Sequence, residues 1–258
     1  VDPMKSSCRP TAARLVIVEN GAYGERMSRI AKAYAIPFER VSGPWDTGIN
    51  LENIEKCLTA NSGVTHIAAV HHETTSGRLN DIGALGDICR RAGVRLLLDG
   101  VSSFGAEALQ FEHWQIDACA ATANKCLHGV PGTAFVIARR DALLKTSAPS
   151  RSVYLDLHSY LAQQDEKGTP FTQSVQTFYA LDEALDEFFE AGGWHARHKL
   201  FATRLASIRQ TLVELGIEPL LHEDECSCVL HAFALPRWQT YTELHRMMKE
   251  RRYIIYAG

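Results

Sequence analysis

Two charged side chains, Asp99 and Lys125, follow apolar stretches of the chain. Asp99 ends the run Leu96–Leu98, and Lys125 follows a run of small residues from 118 to 123. Such runs are typical of buried strands, and α/β sheets bind their ligands outside the carboxyl ends of their strands. The segment between the two residues is long enough for one crossover and one strand. We therefore expect a carboxylate and an amine to face one crevice at the same edge of a sheet.

A carboxylate and an amine in one crevice suit a cofactor that needs a partner at each end. Pyridoxal 5′-phosphate (PLP) is such a cofactor, because it takes a Schiff-base lysine on its aldehyde and an acidic group on its pyridinium nitrogen. Asp99 would keep a proton on that nitrogen, and Lys125 would later serve as a base. A lysine that acts as a base is usually desolvated, so we expect Lys125 to be removed from water. Taken alone, a surface lysine and a turn aspartate remain the ordinary interpretations.

A third strand end, residues 71–77 (HHETTSG), is predicted to face the same crevice. The hydroxyls of Thr74 and Thr75 there are suited to bond a ring oxygen of the cofactor. Without Lys125, ordinary turn chemistry at a strand end would be the better interpretation of this segment.

Other chemistries find no matching motif in the sequence. The histidines at 71 and 72 lack the HExxH spacing of a zinc peptidase, so we predict no metal site there. A loose group of histidines and cysteines lacks the paired spacing of a zinc knuckle, and we interpret it as structural. Its members are His222, Cys226, Cys228 and His231. There is no P-loop, no GxGxxG and no GxSxG elbow, which argues against a nucleotide site and a serine hydrolase.

Strand-like and helix-like segments alternate along the first 138 residues. We predict strands at 14–18, 38–41, 65–70, 94–99, 118–123 and 133–138. We predict helices at 22–33, at 51–60 with Asn50 as N-cap, and from Asn80 or Asp81 to Arg91. A short helix-like segment precedes residue 116. Alternation with short connections predicts an α/β fold with a mostly parallel sheet sandwiched by helices.

The rest of the chain follows a different pattern. Residues 140–173 form a long polar excursion, which in a compact domain is usually functional or at an interface. Amphipathic helices are predicted at 175–191, 194–215 and 241–249, and strands at 217–221, 228–235 and 254–256. We therefore predict a large cofactor-binding α/β domain at 1–190 and a smaller C-terminal α+β domain at 191–258.

Composition restricts the class of protein and its expected compartment. The 258 residues carry a net charge of −3 without a basic cluster, which argues against nucleic-acid binding. No apolar run is long enough for a membrane span, and the first residues lack a signal-peptide core. Seven cysteines stand without a disulfide framework. We expect a reducing, cytoplasmic setting.

Several motifs occur together in the order found in one family. They are NGAYGER (20–26), HETTSG (72–77), Asp99 with SSFG (102–105), ANKC (123–126) with GVPG (129–132), and RSVYLDL (151–157). From about Arg14 onward the chain resembles the class V, fold-type I PLP-dependent aminotransferases. The resemblance implies transfer of the amino group of 2-aminoethylphosphonate to pyruvate, giving phosphonoacetaldehyde and L-alanine. The alternatives are an alanine–glyoxylate or serine–glyoxylate type of transaminase, and a degenerate homologue that binds without catalysing.

The resemblance also implies a role for individual positions. Lys125 matches the Schiff-base lysine and Asp99 the pyridinium partner, while Thr74 matches a hydroxyl beside the ring. Asn124 lies where the family has a polar residue near the cofactor phosphate, and Ser102 belongs to the same cofactor-binding set. Thr172 matches a phosphate ligand donated across a dimer interface, which implies a homodimer with a shared site.

Two departures from the family pattern concern the ends of the chain. Family members have a Ser-Gly-Thr phosphate cup ahead of the strand at Arg14, and an arginine that grips the substrate's anionic group beyond the position of Gly258. Neither motif occurs in this sequence. We expect these segments to be missing from the sequence or disordered without cofactor, rather than absent from the natural protein.

Overall fold

The computed structural model describes residues 14–145 and 150–256. The first thirteen residues, with Cys8, and residues 147–149 of the expected break lie outside this range. The first half of the described chain alternates strand and helix, as predicted: β1 (Arg14–Glu19), α1 (Ala22–Ala33), β2 (Phe38–Ser42), α2 (Leu51–Ala60), β3 (Val64–Val70), β4 (His72–Glu73), β5 (Arg78–Leu79), α3 (Ile82–Ala92), β6 (Arg95–Asp99), β7 (Ile116–Thr122) and β8 (Ala134–Ala138).

Six of these strands form one sheet in the order β2-β1-β3-β6-β7-β8. The pairings from β2 to β7 are parallel, and β8 alone runs antiparallel beside β7. Strands β4 and β5 form a separate antiparallel hairpin. The predicted mostly parallel sheet is therefore confirmed.

Helices cover both faces of the sheet because its central strands are apolar on both sides. Val16 and Val18 of β1 pack toward the face that holds Ile54 of α2 and Leu85 of α3. Ile17, between them, points to the opposite face. There it packs with Ala31 of α1 and Ala68 of β3. Successive residues of β1 thus contribute to two separate hydrophobic cores, one on each face of the sheet.

Local capping explains where two of the helices begin. The Asn50 side chain accepts a hydrogen bond from the Asn53 amide at 2.9 Å, which confirms the predicted cap of α2. The Asp81 side chain accepts from the Ala84 amide at 2.8 Å and begins α3. Gly93, at φ +68°, ends α3 in the left-handed conformation that favours glycine.

The remainder of the described chain is mainly helical. It contains α4 (Arg140–Lys145), α5 (Leu157–Asp165), α6 (Val175–Glu190), α7 (Gly193–Glu214), a short 3₁₀ turn (Glu223–Glu225) and α8 (Tyr241–Glu250). Among the described residues no helix is both long and apolar enough to cross a membrane.

Two expectations about secondary structure were wrong. No helix precedes β7, because residues 101–115 form turns in which amides bond to carbonyls three to five residues back. The three strands expected after residue 216 do not form as strands in the described chain. Residues 218–220 and 232–234 pair only around a single bridge, Pro219 with Phe233. Two bonds define this bridge, from the Leu220 amide to the Ala232 carbonyl and from the Ala234 amide to the Glu218 carbonyl.

Candidate active site

Asp99 and Lys125 follow neighbouring parallel strands, as the sequence predicted. Asp99 is the last residue of β6, and its register partner on β7 is Ala120. The Gly100 amide donates to the Ala120 carbonyl at 2.9 Å, and beyond this bond no backbone hydrogen bond of the described residues joins the two segments. Lys125 lies three residues past the end of β7. Both side chains therefore belong to the carboxyl edge of the sheet, where α/β proteins bind ligands.

The Asp99 carboxylate is half-buried and has one unused oxygen. Its Oδ1 atom accepts a hydrogen bond from the Val101 amide at 3.0 Å. Its other oxygen has no hydrogen-bond partner in the described part of the chain. Burial raises the pKa of Asp99, and the Val101 bond and the nearby Arg26 charge oppose that rise. A cationic N–H donor at the unused oxygen would satisfy it and would favour the ionised carboxylate.

The turn after β7 holds the backbone of Lys125 in place. The Gly129 amide donates to the Ala123 carbonyl at 2.8 Å, and the His128 amide donates to the Lys125 carbonyl at 3.0 Å. The side chain of Lys125 is exposed, and its amine has no partner among the residues described. The expectation that Lys125 would be desolvated was therefore wrong for the isolated chain, because no described element covers the amine.

The short strand β4 lies close to both candidate residues. His72 is fully buried, and its Nδ1 donates to the Ser102 carbonyl at 3.2 Å. Burial, the largest cause, lowers the pKa of His72 to about 4, and the charge of Lys125 contributes to this shift. Burial raises the pKa of Glu73, and the charge of Asp99 contributes to that rise. The pKa of His72 thus depends in part on the charge of Lys125, and the pKa of Glu73 in part on the charge of Asp99.

Glu73 also anchors a helix that begins at the same edge. Its carboxylate accepts hydrogen bonds from the Gly24 amide at 2.8 Å and the Tyr23 amide at 3.2 Å, in the first turn of α1. These amides have no partner within the helix, and the helix dipole favours a negative charge there. A Cβ atom on Gly21 would lie 2.3 Å from the Glu73 carboxyl carbon. Sequence reasoning missed this contact, although the glycines of the NGAYG motif were a signal of close backbone approach.

The remaining predicted residues are Ser102, Thr74, Asn124 and Thr172. Ser102 joins the site, because its Oγ donates to the His72 carbonyl at 2.8 Å. Thr74 is half-buried in the turn that follows β4, and Asn124 is exposed beside Lys125. Thr172 is exposed in the link between α5 and α6, and no bond described for this chain joins it to Asp99 or Lys125. The cofactor roles of all these residues remain predictions.

PLP suits the ring end of this arrangement. Asp99 offers a free acceptor and Lys125 a free amine. In addition, four polar atoms of the segments at 71–77 and 116–122 are buried without a partner in the described structure. They are His72 Nε2, Thr75 Oγ1, Ser76 Oγ and Thr122 Oγ1. Buried polar atoms are normally hydrogen-bonded, so a polar ligand that bonded to these atoms would remove the free-energy cost of leaving them unpaired. The described residues thus fit the ring and aldehyde of PLP.

The cysteines and histidines considered as metal ligands are not brought together as a set. Cys228 instead groups with Glu107 and His198. The Glu107 carboxylate already accepts from Ser227 Oγ at 2.6 Å and from the Cys228 amide at 2.7 Å. These bonds tie the turn that carries Glu107 to the C-terminal part of the chain.

The model of the aminotransferase class V family matches residues 22–250, and the chain belongs to this family. The family depends on PLP. A relative named 2-aminoethylphosphonate–pyruvate transaminase, from Aeromonas hydrophila, is 36% identical over 248 residues, covering 95% of this chain and 65% of that protein. A Vibrio cholerae protein of the same name is 36% identical and is covered to 68%. The chain thus spans about two thirds of the length of these relatives.

Solved structures show the same fold. An alanine–glyoxylate aminotransferase from Nostoc sp. matches with a TM-score of 0.87 and 22% identity, covering 94% of this chain and 65% of that one. An aspartate aminotransferase from Thermus thermophilus matches with a TM-score of 0.86 and 24% identity, covering 96% and 68%. At these identities the match defines the architecture and carries no substrate assignment.

Proposed function

We propose that the protein is a PLP-dependent transaminase that transfers the amino group of 2-aminoethylphosphonate to pyruvate, giving phosphonoacetaldehyde and L-alanine. The supporting observation is the free carboxylate oxygen of Asp99 and the free amine of Lys125 at the ends of adjacent strands. The names of relatives that are 33–36% identical support the choice of substrates.

Each residue of the proposed site has a distinct task. PLP supplies, when bound, an electron sink for the bonds at the substrate's amine-bearing carbon. The unused oxygen of Asp99 would accept the ring N–H and keep the proton on that nitrogen. Lys125 would hold the cofactor's aldehyde carbon through Nζ and, once released, would move the proton of the substrate carbon. Thr74, Ser102 and Asn124 would orient the cofactor by hydrogen bonds.

The proposal includes a homodimer in which Thr172 of one chain completes the site of the other. Exposed apolar side chains near Thr172 support such an interface. Val153, Tyr154 and Leu155 are all more than 60% exposed, and the ring of Tyr154 lies 5.2 Å from that of Phe171. Contiguous exposed apolar groups mark interaction sites. A second chain would cover this segment, and sedimentation equilibrium would measure the dimer.

A reducing, cytoplasmic location is part of the same proposal. None of the six described cysteines forms a disulfide. Proteins of the cytosol keep their cysteines reduced. Fractionation of the source cells followed by immunodetection would test this expectation.

The decisive experiment measures alanine formation. The complete gene product is incubated with 2-aminoethylphosphonate and pyruvate, with and without added PLP. We expect L-alanine and phosphonoacetaldehyde in equal amounts, and a faster reaction with added PLP. A parallel panel offers alanine or serine with glyoxylate. Preference for glyoxylate would reassign the substrates within the family, and no turnover of any pair together with no PLP binding would favour a non-catalytic homologue.

A further inference from the structure

The turn that carries Lys125 depends on a side chain from a distant part of the chain. The backbone of this turn bonds to itself through the carbonyls of Ala123 and Lys125. The next carbonyl, that of Cys126, has no backbone donor in the described structure. It accepts instead from the guanidinium of Arg197 on α7, 71 residues further along. The peptide group between Cys126 and Leu127, one residue beyond Lys125, is therefore fixed from outside the sheet.

Arg197 is well held for this task. Its guanidinium carbon lies 4.9 Å from the centre of the Phe188 ring, and Phe188 is buried on α6. Stacking on an aromatic face restricts the orientation of a planar guanidinium. No carboxylate of the described residues pairs with Arg197 within ion-pair distance. Among the described residues, the Cys126 carbonyl is the only hydrogen-bond partner of the Arg197 guanidinium.

The side chain of Cys126 is fixed by a separate contact. Its Sγ atom donates to the Ser102 carbonyl at 3.4 Å, and the same carbonyl accepts from His72 Nδ1. Cys126 is thus held by its sulfur to the segment that follows Asp99 and by its carbonyl to α7. The residue before it, Lys125, has no comparable restraint on its own side chain.

We propose that Arg197 is a positioning residue for Lys125, which it acts on through the carbonyl of Cys126. The C-terminal part of the chain thereby controls where the amine of Lys125 lies relative to the Asp99 carboxylate. This inference rests on the proposed role of Lys125 as the lysine that binds PLP. It adds a residue of α7 that does not touch the reacting atoms.

The test compares Arg197→Ala and Arg197→Met with Lys199→Ala in the complete gene product. Lys199 is exposed on the same helix, and its replacement removes one positive charge. Two quantities are measured: amide hydrogen exchange of residues 123–129, and the rate at which borohydride fixes PLP on Lys125. We expect Arg197→Ala to raise exchange and slow fixation by about tenfold, as for the loss of a charged hydrogen bond. Added guanidinium should restore both, and Lys199→Ala should change neither.

Two outcomes separate the inference from the function on which it rests. If the native protein fixes no PLP on Lys125, the proposed function fails, whereas the exchange measurement still reports on Arg197. If the native protein fixes PLP and Arg197→Ala matches it in both quantities, Arg197 has no positioning role. Should Arg197→Ala not fold, Arg197→Met decides in its place, because it keeps an unbranched apolar stem and loses every hydrogen-bond donor. Native exchange and fixation in Arg197→Met would then overturn the inference.

Discussion

The sheet region (residues 14–138) and the C-terminal region (residues 175–256) are stabilised in different ways. In the sheet region, α1, α2 and α3 each carry buried residues that pack on the strands. In the C-terminal region, α6 buries Ala184 and Phe188, whereas the 22-residue helix α7 and helix α8 carry no buried residue. The contacts of the C-terminal region with the sheet region include polar bonds, such as the ion pair at 2.9 Å between Arg78 and Glu225 of the 3₁₀ turn. Asp99 and Lys125 thus lie on the well-packed region, beside a region attached to it partly by individual polar bonds.

Because of this difference, substitutions in the two regions should have different effects. Apolar burial is non-directional and contributes in proportion to area, whereas a buried hydrogen bond depends on one geometry. We expect changes at the sheet edge to remove activity, changes in the core of the sheet to lower global stability, and changes on α7 to be mild unless they touch a bond to the sheet region. The following predictions are ordered by the size of the expected effect.

The largest effect is expected from Lys125→Ala. Loss of the amine should abolish the borohydride-fixed PLP adduct and lower the rate of alanine formation by about 10⁴-fold, the upper range for a general base. Peptide mass spectrometry and a coupled alanine assay would measure these changes. Lys145→Ala, on the exposed helix α4, is the control and should behave as the native protein. An unchanged adduct in Lys125→Ala would show that Lys125 does not bind PLP.

Asp99→Asn should have the next largest effect. The amide cannot hold a positive ring nitrogen as a carboxylate does, so we expect the rate to fall on the order of 10²-fold with the PLP adduct on Lys125 still formed. Steady-state rates and adduct yield would be measured together. Asp87→Asn removes a carboxylate from the exposed side of α3 and serves as the control. A native rate in Asp99→Asn would contradict its assigned role.

Two isoleucine substitutions test the comparison of the two regions directly. Ile67 in β3 is fully buried, whereas Ile208 in α7 is 50% exposed. Ile67→Ala should lower the free energy of unfolding by about 2–5 kcal/mol, because it leaves a cavity in the core. Ile208→Ala should lower it by less than about 1 kcal/mol. Urea unfolding followed by circular dichroism gives both values, and equal losses would show that the two regions are packed alike.

Stability should fall in acid because of the buried histidines. Burial lowers the pKa of His71 and of His72 to about 4, below the ordinary value of 6.5. The unfolded chain therefore binds more protons between pH 6.5 and 4, so stability is full above pH 6.5 and is lost as the pH falls through this window. The raised pKa values of Glu73 and Asp99 act in the opposite direction near its acid end.

The contribution of one histidine can be isolated by substitution. His72→Asn should reduce the loss of stability between pH 7 and pH 4.5 by about 1–2 kcal/mol, since one pKa unit corresponds to about 1.4 kcal/mol. Chemical unfolding at a series of pH values measures the change. His113→Asn, at an exposed position, is the control. An identical pH dependence in His72→Asn and the native protein would contradict the burial argument.

The smallest effect is expected at a helix terminus of the sheet region. Asn50→Ala removes the acceptor for the Asn53 amide and should cost about 1 kcal/mol of stability. Asn53→Ala keeps that cap and places a better helix former within α2, so it should be neutral or slightly stabilising. Thermal unfolding of the two variants would compare them. A larger loss in Asn53→Ala would show that capping does not fix the start of α2.

Features that depend on short stretches of chain could be predicted from the sequence. The alternation of apolar strands with capped helices defined the sheet, and Asn50, Asp81 and Gly93 marked helix ends by their own chemistry. The two charged residues at strand ends could be placed at one edge because parallel strands share a direction. Their proposed roles came from the resemblance of the surrounding motifs to a family.

Features that depend on distant pairs could not be predicted in this way. Glu73 accepts from the Tyr23 amide of α1, 50 residues before it, and Arg78 pairs with Glu225 across 147 residues. The antiparallel direction of β8 follows from the path of its connection, and its composition does not show it. The exposure of Lys125 depends on what covers the crevice, which the local sequence does not determine.

The contact between Gly21 and Glu73 makes two distant positions mutually dependent. The Glu73 carboxyl group fills the space that any side chain at position 21 would occupy. A larger residue there would push the carboxylate away from the amides of Tyr23 and Gly24 and would leave them unpaired. In a library of functional variants, exchanges at position 21 should therefore be found only together with a smaller residue at position 73. Substitutions at positions 21 and 73 should therefore be correlated.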